Sequence, residues 1–247
     1  MNLILLDADE LDARGEVILT GRRAEHVRTV LQGREGQSLR VGKTNGPFGT
    51  GMIKRVDDET VRLRCVFGGD VPAPARIDLL LAMPRPKVLK RLWAPLASMG
   101  IGRIIITNAQ KVERFYFDSH VLEPSFYEPL LREGLEQAMD TRIPEVHVRR
   151  QVKPLVEDEL SSWIPDALRL VSDPSASARV LETVPPDAEQ RILVAIGPEG
   201  GWSAYELELF QTHGFHPVGM GPRTLRTDTA CIAMLALIGD ALGRTAG

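Results

Sequence analysis

Two stretches, Ile196-Gly197-Pro198-Glu199-Gly200-Gly201-Trp202-Ser203 and Gly219-Met220-Gly221-Pro222-Arg223-Thr224-Leu225-Arg226-Thr227-Asp228-Thr229-Ala230, decide how this chain folds. Each reads as a glycine-rich loop that leaves an apolar strand and enters a helix. Glycine lacks a Cβ and reaches positive φ without strain, so such loops mark tight turns or close approaches of backbone to a ligand. Either loop alone is compatible with a plain strand-to-helix turn; the pair predicts a binding cleft near the C-terminus. The first loop is not a dinucleotide fingerprint, because Gly-x-Gly-x-x-Gly is absent, and not a P-loop, because no Gly-Lys-Ser/Thr follows. Its amides, carbonyls and the Glu199 carboxylate suit a polar, partly cationic small molecule. In the second loop Arg223 and Arg226 stand at a helix entrance, where a guanidinium meets a phosphate or base edge or serves as plain surface charge. Thr227 is expected to cap the helix, and Asp228 to favour the positive end of its dipole.

Outward from these loops, strands and helices alternate. Ile77 to Met83, Arg103 to Thr107, Leu168 to Ser172 and Ile192 to Ile196 read as buried strands. Pro86 to Met99 carries Val88, Leu89, Leu92 and Leu96 at helical spacing behind a first-turn proline, and Pro124 to Met139 is a second helix. Ser203 with Glu206 three residues on forms a capping box for a third, and the last helix runs from Thr227 to Gly243. Such alternation implies an α/β fold, a parallel sheet covered on both faces, with ligands outside the carboxyl ends of the strands.

Residues 1–70 differ. Short β-like runs (Leu3 to Leu6, Glu16 to Leu19, Ser38 to Val41, Gly51 to Val56, Thr60 to Phe67) predict a small barrel. Gly68 to Ala75, with two prolines among small residues, reads as extended chain. The expected organisation is thus a β domain over 1–70, a linker over 71–75 and an α/β domain over 76–247.

At 247 residues and 43% hydrophobic, the chain is long enough for such cores. It has no uninterrupted apolar run of membrane-spanning length and no secretory start, so a cytoplasmic location is expected. Cys65 and Cys231 lack metal or redox spacing, which predicts reduced packing residues and no metal. The net charge of −3 hides an asymmetry: Arg22 to Arg64 holds ten basic against five acidic residues, Arg76 to Tyr116 eight against two, and Pro154 to Phe215 three against eleven. A polyanion would meet the N-terminal half, unless these charges are scattered solvated faces.

Gly197-Pro198-Glu199-Gly200-Gly201, Leu225-Arg226-Thr227-Asp228-Thr229-Ala230, Arg85-Pro86-Lys87-Val88-Leu89-Lys90-Arg91, Gly134 to Pro144 and Arg22 to Leu31 together resemble the RsmE-type ribosomal RNA methyltransferases of bacteria. The likeness spans essentially the whole chain. It implies a SPOUT-type parallel sheet whose C-terminal chain threads a trefoil knot, preceded by a PUA-like β-barrel. It also implies a homodimer that binds S-adenosylmethionine in the knot and methylates N3 of a uridine in small-subunit ribosomal RNA, free or in the assembled subunit.

Carried over, Gly197, Pro198, Glu199, Gly200 and Gly201 would line the methionine side of the cofactor. Met220, Gly221, Thr224, Leu225 and Arg226 would surround adenine and ribose, with Ser172 and Asp173 as a third contribution. Arg226 is the expected stabiliser of charge on the uracil, and Glu199 or Asp228 the acceptor of its N3 proton. RNA contacts are expected from Arg22, Arg23, His26, Arg28, Arg85, Lys87, Lys90, Arg91 and Arg223, although a lone histidine on a mostly apolar stretch also fits a structural role. The chain departs from the family at Met1-Asn2-Leu3-Ile4-Leu5, where an arginine is usual, and at Asp228, where glutamate is usual. Rival readings are a non-catalytic RNA-binding protein, a methyltransferase of the same class acting on tRNA, and a nucleotide-dependent oxidoreductase or ligase. Intact glycine loops disfavour the first, and missing phosphate fingerprints the last.

Overall fold

The computed structural model describes residues 3–185 and 190–243; Met1, Asn2 and the last four positions of the expected 76–247 domain lie outside the described residues. Two compact units result, one of Met1–Pro74 with Leu131–Ile143, the other of Ala75–Leu130 with Pro144–Gly247.

In the first unit β1 (Ile4–Leu6), β2 (Glu16–Leu19), helix α1 (Gly21–Thr29), β3 (Ser38–Lys43), β4 (Phe48–Val56) and β5 (Val61–Phe67) follow one another. The strands form a half-barrel in the order β1-β3-β4-β5-β2, with β1 parallel to β3 and the other pairs antiparallel. Period-two patterning drives it: Val61, Leu63 and Cys65 face inward while Arg62, Arg64 and Val66 face out. The inward set packs with Ile4, Leu6, Leu19, Val27, Val41 and Ile53 as one core.

In the second unit β6 (Ile77–Ala82), α2 (Pro86–Ser98), β7 (Ile101–Thr107), α3 (Pro124–Ala138), β8 (Glu145–Arg149), two short helices α4 (Val152–Pro154) and α5 (Leu160–Trp163) joined by a π-turn, β9 (Leu168–Ser172), α6 (Val180–Thr183), β10 (Ile192–Ile196), α7 (Ala204–Thr212), β11 (Phe215–Val218) and α8 (Thr227–Gly243) build the α/β layer. Its sheet has six strands in the order β11-β9-β10-β6-β7-β8, every pair parallel. Central β6 and β10 are buried along their whole length, as strands covered on both faces must be. The α/β parallel sheet preceded by a small PUA-like β unit is the fold class read from the sequence. Beyond β11, Gly219 bridges Arg179 and its amide donates to the Ala178 carbonyl at 2.9 Å. The chain entering α8 therefore runs alongside, and parallel to, the segment that follows β9.

The span 76–247 is not one uninterrupted unit. Residues 131–143 return to the first unit because their polar groups are satisfied there. Arg132 grips both oxygens of Asp7 at 2.8 and 2.7 Å, and Glu136 takes the Leu5 amide at 3.2 Å. Thr141 donates to the Gly46 carbonyl at 2.7 Å, and its own carbonyl receives the Asn45 amide. A helix amphipathic enough to be recognised gives no sign of which core its far end will join. Thr227 is likewise the first residue of α8 rather than its cap; Arg226 precedes it and its carbonyl accepts from the Ala230 amide at 2.7 Å. Cys65 and Cys231 are buried thiols, which burial pushes up to about 11 and about 12, so both stay protonated and inert. Among the described residues no helix is long and apolar enough to cross a membrane.

Asp78, fully buried on β6, is held by Arg191 through bonds of 2.9 and 2.6 Å. Removing the acid leaves a part-buried guanidinium unpaired, so Asp78→Ala should lower unfolding free energy by about 3 kcal/mol in urea titrations; a change within error would show that the pair is dispensable. Glu136 behaves in the opposite sense. Burial raises its carboxyl above the ordinary value, outweighing the Leu5 amide and Arg22. A raised folded-state value means its contribution is full below the unfolded value and lost as pH rises through the folded one. Glu136→Gln, a permanent mimic of the neutral acid, should match the parent in acid and exceed it in stability at neutral pH. A neutral variant less stable than the parent would show that the charged form is the one the fold uses.

Candidate active site

Three neighbouring strands, β11, β9 and β10, end side by side, and each end carries one group of the expected cofactor residues. β10 runs into Gly197 to Gly201, β9 closes on Ser172 and Asp173, and β11 runs into Gly219, Met220 and Gly221. Ser172 pairs in register with Val218, and the Asp173 amide donates to the Val218 carbonyl at 3.0 Å, which locks two of the ends together.

The first loop turns on Gly201, whose φ of +67° only glycine adopts freely and whose amide donates to the Pro198 carbonyl at 2.8 Å. Ser203 then caps α7 as expected: it exchanges hydrogen bonds with Glu206, whose amide it receives and whose carboxylate takes the Ser203 amide at 2.8 Å. Trp202 is buried against Phe210, ring centroids 4.8 Å apart, and its indole Nε1 has no hydrogen-bond partner among the described residues. Lys111, just beyond β7, donates to the Gly200 carbonyl at 2.8 Å and steadies the loop from outside. Glu199 is exposed; its Oε1 accepts the Arg85 amide at 3.1 Å, at the N-terminal end of α2.

The second loop is exposed from Pro222 to Arg226, while Met220 and Gly221 are half-buried. Asp228, in the first turn of α8, binds Arg91 of α2 at 2.8 Å and lies 3.5 Å from Arg226. One carboxylate thus sits between two guanidinium groups, and the Arg226 side chain is 71% exposed. Helix α2 reaches both loops, through Arg85 to Glu199 and through Arg91 to Asp228.

All three expected catalytic groups, Glu199, Arg226 and Asp228, therefore lie at one edge, with Asp228 in contact with two arginines. Lys87, Lys90 and Arg91 fall on one exposed face of α2, and Arg223 is exposed on its loop. The α1 residues divide differently. Arg23 is a structural residue and not a free cation, since it is clamped to Glu10 and donates to the Leu5 carbonyl at 3.0 Å. Arg22 pairs with Glu133 at 3.2 Å and Glu136 at 3.7 Å. His26 keeps Nε2 buried with no partner among the described residues, and Arg28 is half-buried. Lys111 and Trp202 went unnoticed in the sequence. Trp202 stands inside the quoted loop, but Lys111 carries no local signal, because only the fold brings it to Gly200.

A sequence profile of the RNA methyltransferase domain matches residues 71–239. The ribosomal RNA small subunit methyltransferase E of Treponema pallidum is 29% identical over 96% of this chain and 90% of its own length. The ribosomal RNA small subunit methyltransferase E 1 of Borreliella burgdorferi is 25% identical over 94% and 95%. Among solved structures, a Legionella pneumophila protein in complex with the bound cofactor SAM superposes with TM-score 0.78 at 24% identity, covering 97% of both chains. A ribosomal RNA small subunit methyltransferase E of Neisseria gonorrhoeae bound to S-adenosyl methionine does so with TM-score 0.76 at 18% identity, again covering 97% of both. These superpositions carry the fold. With more than half of its length matched by that domain profile, this chain belongs to the RNA methyltransferase domain family.

Proposed function

We propose that this protein is a cytoplasmic, homodimeric enzyme that transfers a methyl group from S-adenosylmethionine to N3 of a uridine in small-subunit ribosomal RNA. The convergence of three candidate cofactor segments at the ends of β11, β9 and β10 is the observation that carries the reading. The names of full-length relatives support the RNA, and the cofactors bound in structural neighbours support the methyl donor.

The residues present fit that donor. Among the described residues the amides of Met220, Gly221, Thr224 and Leu225 find no acceptor within the chain, so they are available to an adenine edge and ribose. Leu225 offers apolar surface at 36% exposure, and Met220 more beside it. Ser172, Asp173 and the Gly197 to Gly201 backbone would hold the amino-acid end. When bound, S-adenosylmethionine supplies an activated methyl on sulfonium, so no metal is needed.

The chain's own work is then alignment and charge. N3–H lies on the Watson–Crick edge of uracil, so the base is unpaired or flipped before it reaches the edge of the sheet. Preorganised alignment lowers a barrier by up to roughly 7 to 11 kcal/mol, more than a positioned base contributes. Arg226 faces the negative charge that grows on the uracil, and Asp228 fixes Arg226 relative to Arg91 as a positioning residue. Glu199 is the proton acceptor: its Oε1 is anchored on the Arg85 amide, and its Oε2 has no partner among the described residues.

Calorimetric titration with S-adenosylmethionine, followed by incubation with naked ribosomal RNA or assembled small subunits and mass spectrometry of the product, tests this. We expect binding and 3-methyluridine in small-subunit RNA; no binding, or a product confined to tRNA, overturns it. Arg226→Ala should lower kcat by about 10²-fold while leaving cofactor affinity within a few-fold, because the loop binds through its backbone. Glu199→Gln should lower kcat by about 10²-fold or more at neutral pH, and the deficit should shrink in alkali, where solvent removes the N3 proton unaided. A pH-independent deficit would take the proton from Glu199.

A further inference from the structure

A second open cavity, of about 540 Å³, lies at the carboxyl ends of β7 and β8, lined by the residues that follow each strand and by Glu206. Its charged lining is lopsided. Arg114, Arg150 and Lys153 bring three cations against one carboxylate, and that carboxylate is already satisfied: buried Glu206 receives the Gln110 amide at 2.6 Å, the Ser203 amide at 2.8 Å and the Ser203 hydroxyl at 2.9 Å. Arg114 has no hydrogen-bond or ion-pair partner among the described residues, and Lys153 reaches only Glu157 at 3.8 Å. Arg150 is held in place by the Phe117 carbonyl at 3.1 Å, by Asp118 at 3.3 Å and by the Phe117 ring. The wall also presents a buried acceptor without a partner, Asn108 Oδ1. Next to Arg114 in the chain, Phe115 is 65% exposed, its ring edge-on to Tyr116.

One anchored cation and two others answer a phosphodiester, an orphaned buried acceptor asks for a hydroxyl or amino donor, and the exposed Phe115 ring, adjacent to Arg114 in the chain, is a surface for a base. We propose that this cavity binds one nucleotide unit of the RNA strand outside the reacting uridine. Its phosphate lies against Arg114, Arg150 and Lys153, its ribose 2′-hydroxyl donates to Asn108 Oδ1, and its base or the next stacks on Phe115. The assignment rests on the reading of the protein as an RNA-methylating enzyme.

The test compares the full chain with the Arg114→Ala/Lys153→Ala double variant and with Phe115→Ala and Asn108→Ala, using fluorescence anisotropy on a short single-stranded uridine-rich RNA and on DNA of the same sequence. S-adenosylmethionine titration of each variant serves as the check of folding and of the cofactor loops. The double variant should bind RNA about tenfold or more weakly near 0.1 M salt, with the slope of log K against log[salt] reduced by up to about 0.7, the loss of one phosphate contact on a single strand. Phe115→Ala should weaken binding about fivefold or more, and Asn108→Ala should narrow the preference for RNA over DNA. RNA affinity and salt slope unchanged in the double variant, with cofactor titration intact, overturn the cavity assignment alone. A parent chain that binds no RNA at any salt overturns the methylation reading as well.

Discussion

The contact on which the site depends is the one between the Gly219 amide and the Ala178 carbonyl. It pins the chain leaving β11 against the chain leaving β9, and a side chain there is forbidden: a Cβ at position 219 would stand 2.7 Å from the Ala176 carbonyl oxygen. From that contact the loop from Met220 to Arg226 leads into α8, which packs against α2. Asp228, in the first turn of α8, meets Arg91 of α2 there. Surface ion pairs of this kind contribute little to stability by themselves, so the backbone contact at Gly219 and the packing of α8 on α2 weigh more in placing the loop than its charges do.

Much of this was legible along the chain because it is written in local chemistry. Ile192 to Ile196 is five apolar residues between Arg191 and the Gly197-Pro198 turn, and it is a central strand. Ser203 and Glu206 have the spacing of a capping box, and they form one. Positions whose role is set at long range were not legible. Arg23 and Lys87 are both basic residues near the start of a helix, yet one is consumed by Glu10, thirteen residues away, and the other is solvated. The segment around Glu136 and Thr141 reads as the end of an ordinary amphipathic helix, and its partners, Leu5, Asn45 and Gly46, lie about a hundred residues earlier. Strand β8 lacks the apolar density of its neighbours because it is the sheet's edge, half-buried along most of its length, and periodicity has little to detect there.

The charge asymmetry resolves in the same way. Counted along the sequence, the basic half looks like one surface for a polyanion. Sorted by geometry, Arg22, Arg23, Arg103 and Arg191 are tied to carboxylates, Arg191 and Arg103 both to buried Asp78. Those pairs close the ends of strands and anchor helices. Lys87, Lys90, Arg114 and Arg223, from α2 and from loops that follow strands, have no carboxylate partner among the described residues, while Lys153 and Arg226 each stand near one, Glu157 at 3.8 Å and Asp228 at 3.5 Å. A net count averages over two populations with different tasks, so phosphate recognition has to be argued residue by residue.

The carboxyl edge of the parallel sheet thereby divides. Ends of β11, β9 and β10 carry the backbone-rich loops suited to a small uncharged or cationic molecule, and ends of β7 and β8 carry the side-chain cations suited to a strand of RNA. Glu206 and Lys111 join the two regions. Glu206 caps the helix behind the first glycine loop and simultaneously takes the Gln110 amide, while Lys111 grips the Gly200 carbonyl. The segment after β7 thus touches the first glycine loop through Lys111 and the helix behind that loop through Glu206. Glu206 is buried with both oxygens satisfied, so breaking either set of its contacts is costly. The two regions of the edge are therefore linked by specific side-chain contacts, one through a buried carboxylate and one through an exposed lysine.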